Sequence, residues 1–191
     1  MSRLLCLLAL TFGATLGAMQ GAVAQERAPE AAQQDTAASD ATAEATHQVS
    51  RLISQKFGVA RAKAEQISAA VMSAASKYSL PPALLLAIIS VESRFKEKAR
   101  GANGATGLMQ VVPAAHKQLV RNIDLTEATA NIEAGSAILH GYVQSARGDV
   151  GAALKSYGGS KAYAEKVSLR ARTLAPEVGL DAGTDAETNG N

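Results

Sequence analysis

Apolar residues recur at spacings of three and four along most of the chain, and this period predicts an all-α fold. One amphipathic helix is predicted over 59–78, and another from its candidate caps Asp124 or Thr126 to about residue 143. Shorter helices are expected over 150–157 and 162–174. No segment alternates apolar and polar residues as a half-buried strand does. The two longer stripes consist of Ile67, Val71, Ala74, Ala75 and Tyr78, and of Ile132, Gly135, Ile138, Leu139, Tyr142 and Val143.

The segment 82–92 is apolar on every side, which predicts a helix in the middle of a core. Pro81-Pro82 opens it, and proline suits the first turn of a helix because its missing N–H has no partner there in any case. The apolar run Leu84–Val91 ends at Glu92. A carboxyl group is therefore expected at the end of a buried helix.

Two effects are expected to raise the pKa of the Glu92 carboxyl. Apolar surroundings disfavour its charged form, and so does the negative end of the helix dipole. A carboxyl that stays protonated near neutral pH can serve as a general acid. The residue pattern alone leaves one alternative open, an ordinary, partly exposed glutamate at a helix end, because structural ion pairs also perturb carboxylates.

Four short motifs follow one another in order from this point. They are Glu92–Phe95 with Ala99, Gly104–Gln110 with Pro113, Asn131-Ile132 with Gly135, and Ala152–Tyr157. Their order and spacing strongly resemble the lytic transglycosylases of the soluble type (SLT domain), over roughly residues 58–170. The resemblance implies a lysozyme-like single catalytic domain of about six to seven helices with disordered tails. The Gly-rich loop 101–107 is expected to be its longest ordered irregular segment.

The resemblance makes Glu92 the catalytic residue. It implies that Ser93 hydrogen-bonds near the carboxylate or the sugar; no His and Asp stand at a spacing that would make this serine a nucleophile. Tyr157 matches the tyrosine of the family's Ala-Tyr-Asn signature, whose hydroxyl lies close to the catalytic glutamate, and a core aromatic is the alternative. Two positions depart from the family pattern: Gly158–Ser160 replaces Asn-Ala-Gly, and Ile138 stands where Tyr is common.

The remaining substrate contacts implied by the resemblance come from Gly107–Gln110, which would lie along the sugar cleft. The Gln110 amide can offer both donor and acceptor groups to an N-acetyl sugar. Met109 is either core filler or cleft wall, because a thioether suits both places. Gly107 would do more than relax the backbone, whereas Gly101 need not.

The implied reaction cleaves the bond between N-acetylmuramic acid (MurNAc) and N-acetylglucosamine (GlcNAc) in peptidoglycan without water. Glu92 first protonates the bridging oxygen and then takes the proton of the muramyl C6 hydroxyl, which closes a 1,6-anhydro ring. No cofactor and no metal are required. Two alternatives stay open: a lysozyme-type muramidase, in which another carboxylate activates water, and a non-catalytic wall-binding factor of an envelope-spanning machine.

Residues 1–24 have the features of a secretory signal peptide. Arg3 supplies the positive charge, the stretch from Leu4 to about Ala18 is apolar, and Ala22–Ala24 forms a small-residue cleavage site. The stretch is shorter than the roughly 20 residues of a membrane span, and an uncleaved anchor is the alternative. Cys6 would leave with the signal, so the mature chain has no disulfide. We expect export across the inner membrane to the periplasm, with no stable membrane anchor after cleavage.

Composition divides the rest of the chain. The segments 25–46 and 176–191 are poor in large apolar residues, which predicts a disordered linker and a disordered acidic tail. Between them, 47–175 has the size of one domain. Residues 47–174 carry 17 Lys and Arg against 8 Asp and Glu, a net charge of +9. A basic exported domain favours a polyanion such as the cell wall. The export signal and the lack of a basic-aromatic pattern argue against nucleic acid.

The other candidate chemistry points to no further site. His47, His116 and His140 lack metal-ligand spacing, so surface or core positions are expected for them. Asp124 and Glu127 suit the start of a helix better than catalysis. The expected partners are peptidoglycan glycan strands and an envelope-spanning secretion or appendage machine.

Overall fold

Helix follows helix through residues 28–179, the part of the chain that the computed structural model describes, with side chains described from residue 39. Isolated bridges joining Arg100, Thr106 and Val111 are the β pairing in this range. The all-α prediction is therefore confirmed. The helices are α1 (Ala28–Phe57), α2 (Arg61–Tyr78), α3 (Pro82–Glu92), α4 (Lys117–Val120), α5 (Ala128–Ser145), α6 (Val150–Gly158) and α7 (Lys161–Leu174), with 3-10 turns at Ala102–Gly104 and Pro176–Val178.

Helix α3 occupies the centre of the fold because it is apolar on every side. All its residues from Ala83 to Ser90 are buried. It packs mainly against α7 and also against α2, while α2 packs on α5, and α6 packs on both α5 and α7. This packing holds the end of α3, and therefore Glu92, at the margin of the core. Within the described range, no helix combines the length and apolar character needed to cross a bilayer.

The start of α5 corrects one sequence prediction. Its N-cap is Glu127, whose carboxylate accepts a 2.6 Å hydrogen bond from the Ala130 N–H. The two expected caps, Asp124 and Thr126, lie three residues and one residue earlier. They bond to each other instead, since Asp124 accepts from both the N–H and the hydroxyl of Thr126. Asp124 thus stabilises the turn that precedes the helix, and neither it nor Glu127 is free for catalysis.

Both segments predicted as disordered contain helical backbone in the structure, over 28–46 in the linker and over 176–178 in the tail. Helix α1 begins at Ala28, inside the expected linker 25–46. An Ala- and Gln-rich segment has high helix propensity even where it buries little, and composition alone did not register this. Residues 28–37 belong to a unit of their own, and the compact unit begins at Ala38.

The tail predicted from residue 176 begins with an ordered turn. Val178 is fully buried in the core, and the Gln48 side chain donates a 3.1 Å hydrogen bond to the Glu177 carbonyl. The turn is therefore held by the buried side chain of Val178 and by the hydrogen bond between Gln48 and Glu177. The predicted signal peptide 1–24 and residues 180–191 lie outside the described residues, so those assignments stay predictions.

Candidate active site

Glu92 is the last residue of α3, and its side chain is half-buried at the end of an otherwise buried helix. Burial raises the pKa of its carboxyl above the ordinary value. The Tyr163 hydroxyl and the positive charge of Lys166 oppose this effect without cancelling it. The direction is the one predicted from the apolar run, and it favours a carboxyl that keeps its proton as the pH rises.

Tyr163 is a site residue that the sequence analysis missed. Its hydroxyl is buried and has no hydrogen bond of normal length and geometry among the described residues. The hydroxyl nevertheless lies close enough to Glu92 to lower the pKa of that carboxyl. Burial is the main cause that raises the pKa of Tyr163, and the charge of Glu92 raises it further. The hydroxyl is therefore placed to bond the carboxylate after a small movement. Its sequence signal is weak, a tyrosine six positions after Tyr157 in a basic helix.

Gly158 makes room for the Tyr163 ring. A Cβ atom built on Gly158 would lie 2.1 Å from Cδ1 and 2.2 Å from Cγ of that ring, closer than any side chain tolerates. This position is the first departure from the family pattern, where an asparagine is common. The ring of Tyr163 thus occupies the space that a side chain at position 158 would need.

The chain turns sharply just after Glu92. Arg94 and Phe95 both have left-handed backbone conformations, with φ of 51° and 62°, and each costs about 1–2 kcal/mol for an L-residue. Phe95 is buried, and its ring packs 4.4 Å from that of Phe57 at the end of α1. This packing offsets the strain of the turn.

Asn131 anchors the glycine loop from beneath. It is fully buried on α5. Its Oδ1 accepts from the Met109 N–H at 2.7 Å, and its Nδ2 donates to the carbonyls of Thr106 and Leu125 at 2.8 and 2.9 Å. Gly107 crosses directly above with φ of +81°, and a Cβ there would lie 2.1 Å from Asn131 Nδ2. Glycine is therefore required at 107 for close approach as well as for conformation.

Met109 and Gln110 both hold the loop together. Met109 is fully buried, and its side chain packs on Gly135, where an added Cβ would lie 2.6 Å from the sulfur. Met109 therefore packs as a core residue in this structure, and a place in the wall of the sugar cleft stays a prediction. The Gln110 Nε2 donates to the carbonyls of Gly107 and Ala99 at 2.9 and 3.2 Å. Its amide donors are therefore used within the loop.

The hydroxyls of Tyr157 and Ser93 both bond to backbone carbonyls. Tyr157 donates to Met109 at 2.9 Å, and Ser93 donates to Ile89 at 3.1 Å, one turn back on α3. Burial raises the pKa of Tyr157, and the charge of Glu92 adds to this, although the hydroxyl itself bonds to the Met109 carbonyl. The direct sugar contacts of Ser93, Gly107, Met109, Gln110 and Tyr157 stay predictions.

Every other carboxylate described between residues 47 and 179 has a structural partner. Glu127 caps α5 and Asp149 caps α6. Asp124 closes the turn before α5. Glu97 pairs with Lys63 at 2.9 Å. The remaining four form ion pairs with lysines or arginines: Glu65, Glu133, Glu165 and Glu177. Glu92 alone in this range caps no helix, closes no turn and forms no ion pair, and this sets it apart chemically.

The histidines lie apart from the acid's immediate contacts. The Nδ1 of His140 lies 3.0 Å from the Tyr78 carbonyl, and His116 precedes α4. No group of three or more His, Cys, Asp or Glu residues in the described range could hold a metal ion.

Comparison with known proteins places this site in a family. A family model described as "Transglycosylase SLT domain" matches residues 69–176. This range includes Glu92, the glycine loop, Tyr157 and Tyr163. The chain belongs to this family. A relative called "Transglycosylase", from Enterobacteria phage PRD1, is 37% identical over 87 residues, which are 45% of this chain and 32% of that protein. The chain thus matches about a third of that relative's length.

A solved structure has the same fold. An inactive variant of the lytic transglycosylase Slt from Pseudomonas aeruginosa superposes with a TM-score of 0.54, at 22% sequence identity. The match covers 59% of this chain and 24% of that chain. The lysozyme-like fold implied by the motifs is confirmed by this likeness.

Proposed function

We propose that this protein is a peptidoglycan lytic transglycosylase. It cleaves the β-1,4 bond between MurNAc and GlcNAc without water and leaves 1,6-anhydroMurNAc ends. Family membership supports the reaction class. The observation that carries the proposal is Glu92, the one carboxylate between residues 47 and 179 that caps no helix, closes no turn and forms no ion pair, at the end of a buried helix with its pKa raised by burial.

Glu92 acts first as acid and then as base. Protonated, it gives its proton to the bridging oxygen as the C1–O bond breaks, and the substrate's own 2-acetamido group stabilises the positive charge at C1. The resulting carboxylate takes the proton of the C6 hydroxyl, whose oxygen bonds to C1 and closes the ring. Glu92 ends protonated, so the cycle consumes neither water nor a cofactor. Tyr163 is placed to donate to the carboxylate form between the two steps.

The alternative of a lysozyme-type hydrolase needs a second carboxylate. Such enzymes hold it about 5 Å from the acid for retention, or about 6.5–9.5 Å away for inversion. The other carboxylates of the described domain cap helices, close turns or form ion pairs. This arrangement favours the mechanism with one carboxylate.

Digestion of purified peptidoglycan followed by mass spectrometry tests the proposal. We expect anhydromuropeptides; products heavier by one water would establish a hydrolase instead. Glu92→Gln should lower the rate by at least about 10²-fold, because the amide keeps the shape of the side chain but cannot carry the proton. Glu97→Gln is the matched control, since its carboxylate is ion-paired with Lys63; it should retain activity. Undiminished activity of Glu92→Gln would remove the assignment.

The proposal extends to location and partners. The signal-like residues 1–24 support export across the inner membrane to the periplasm. The net charge of +9 over 47–174 supports attraction to anionic wall. The proposed partners are peptidoglycan glycan strands and an envelope-spanning secretion or appendage machine beside which the enzyme acts. Fractionation of cells that express the full chain tests the location. Protein that stays in the cytoplasm would contradict it.

A further inference from the structure

Three half-buried aromatic rings from separate elements form a row beside the candidate active site. Tyr157 on α6 meets Tyr142 on α5 at a centroid distance of 6.4 Å and an angle of 87°. Tyr142 in turn meets His116, just before α4, at 6.3 Å and 70°. Each contact is edge to face, an arrangement in which aromatic pairs attract.

The row begins at the glycine loop beside the acid. Tyr157 donates a 2.9 Å hydrogen bond to the Met109 carbonyl in that loop, and the charge of Glu92 contributes to raising the pKa of Tyr157. Tyr142 and His116 continue from there towards α4 and take no part in the proton transfers described above. The row therefore connects the reaction centre to a neighbouring part of the surface.

Packing alone does not account for the two outer rings. The buried core is built almost entirely from aliphatic side chains, with Phe95 as its aromatic member. Tyr142 packs against this core but is only half-buried, and His116 is likewise half-buried. The hydrogen bonds and ion pairs of the described residues include none to the Tyr142 hydroxyl or the His116 ring nitrogens. Polar groups of this kind at the edge of a site are available to a ligand.

We propose that Tyr142 and His116 form a sugar-binding subsite for a residue of the glycan strand next to the bond held at Glu92. An aromatic ring covers the C–H face of a pyranose, while the phenol hydroxyl and the imidazole nitrogens bond to sugar hydroxyl or acetamido groups. The inference rests on the proposed function for the identity of the strand. It adds two residues that determine how long a substrate must be to bind well.

Rates on long glycan strands and on the shortest oligosaccharide that is cleaved test the subsite. Tyr142→Leu and His116→Ala should each lower kcat/KM on long strands about 2- to 10-fold, the range expected for one aromatic contact. The loss should appear mainly in KM, and rates on the shortest substrate should stay unchanged. Tyr142→Phe keeps the ring and should lose less than Tyr142→Leu. Leu119→Ala, on exposed α4 surface, is the control for His116→Ala.

Two results would overturn the subsite. One is unchanged kcat/KM on long strands for folded Tyr142→Leu and His116→Ala. The other is an equal loss on short and long substrates, which would mean that the rings support Glu92 rather than bind sugar. Sedimentation of Glu92→Gln protein with peptidoglycan, with and without the ring substitutions, measures binding without turnover. The subsite thus stays testable even if the products of the parent protein contradict the proposed reaction.

Discussion

Replacing Asn131 by alanine should destabilise the whole domain through the glycine loop. Asn131 is fully buried and bonds three backbone groups of other segments. The Thr106 carbonyl keeps a second partner, the Val111 N–H at 3.0 Å. The Met109 N–H and the Leu125 carbonyl have no other partner in the described structure, so the substitution leaves two buried groups unpaired.

The expected cost follows from those two groups. A buried donor or acceptor left without its partner costs about 1–3 kcal/mol, and a water molecule entering the space left by the side chain recovers part of this. We expect a loss of about 2–4 kcal/mol in the free energy of unfolding. For a domain of this size, each kcal/mol lowers Tm by about 2–4 °C, so the expected drop is roughly 5–15 °C.

Circular dichroism melts and urea titrations of the parent protein and of Asn131→Ala measure this loss. Ser136→Ala is the matched control, because Ser136 is equally buried on α5 but its hydroxyl has only a weak 3.9 Å contact to the Met109 sulfur. It should change stability by less than about 1 kcal/mol. If Asn131→Ala melts at the same temperature as Ser136→Ala, the three hydrogen bonds do not stabilise the loop, and the reasoning is refuted.

Three further substitutions test the surroundings of the acid. Tyr163→Phe removes a hydroxyl that lowers the pKa of Glu92, so that pKa should rise. The alkaline limb of the pH–rate profile should then move to higher pH. An unmoved limb would contradict the interaction between Tyr163 and Glu92. Tyr157→Phe removes the bond to the Met109 carbonyl and should cost about 1 kcal/mol in urea unfolding, whereas equal stability would show the bond to be idle. Gly158→Asn restores the residue common in the family but should lower the initial rate several-fold, because it displaces the Tyr163 ring; full activity would mean that the ring moves freely.

The sequence predicts most clearly those features that depend on residues close together in the chain. The apolar run before Glu92 defines both the central helix and the direction of the acid's pKa shift, since burial of that helix is the main cause. The motif indicates a glycine at 107 but not the physical reason for it. The atoms that leave no room for a side chain there belong to Asn131 and the Leu125 carbonyl, which come from a later segment.

Features that depend on packing between distant segments could not be predicted in this way. Tyr163 reaches Glu92 because α7 packs on α3 and because Gly158 leaves space for its ring. The hydroxyl of Tyr157 bonds the Met109 carbonyl, a choice of partner that no spacing in the chain determines. The docked turn at Val178 contacts residues of α1 that lie more than 120 positions earlier in the chain, Gln48 and Lys56.

The aromatic pair of Phe57 and Phe95 has a consequence for which part of the chain folds independently. The last turns of α1 contribute the fully buried Val49 and Ile53 as well as Phe57. A fragment that began at α2 would leave the strained turn after Glu92 without its ring partner and uncover a contiguous apolar surface. Such a surface promotes self-association. The smallest autonomous folding unit is therefore expected to begin within α1, well before residue 69, where the family match starts.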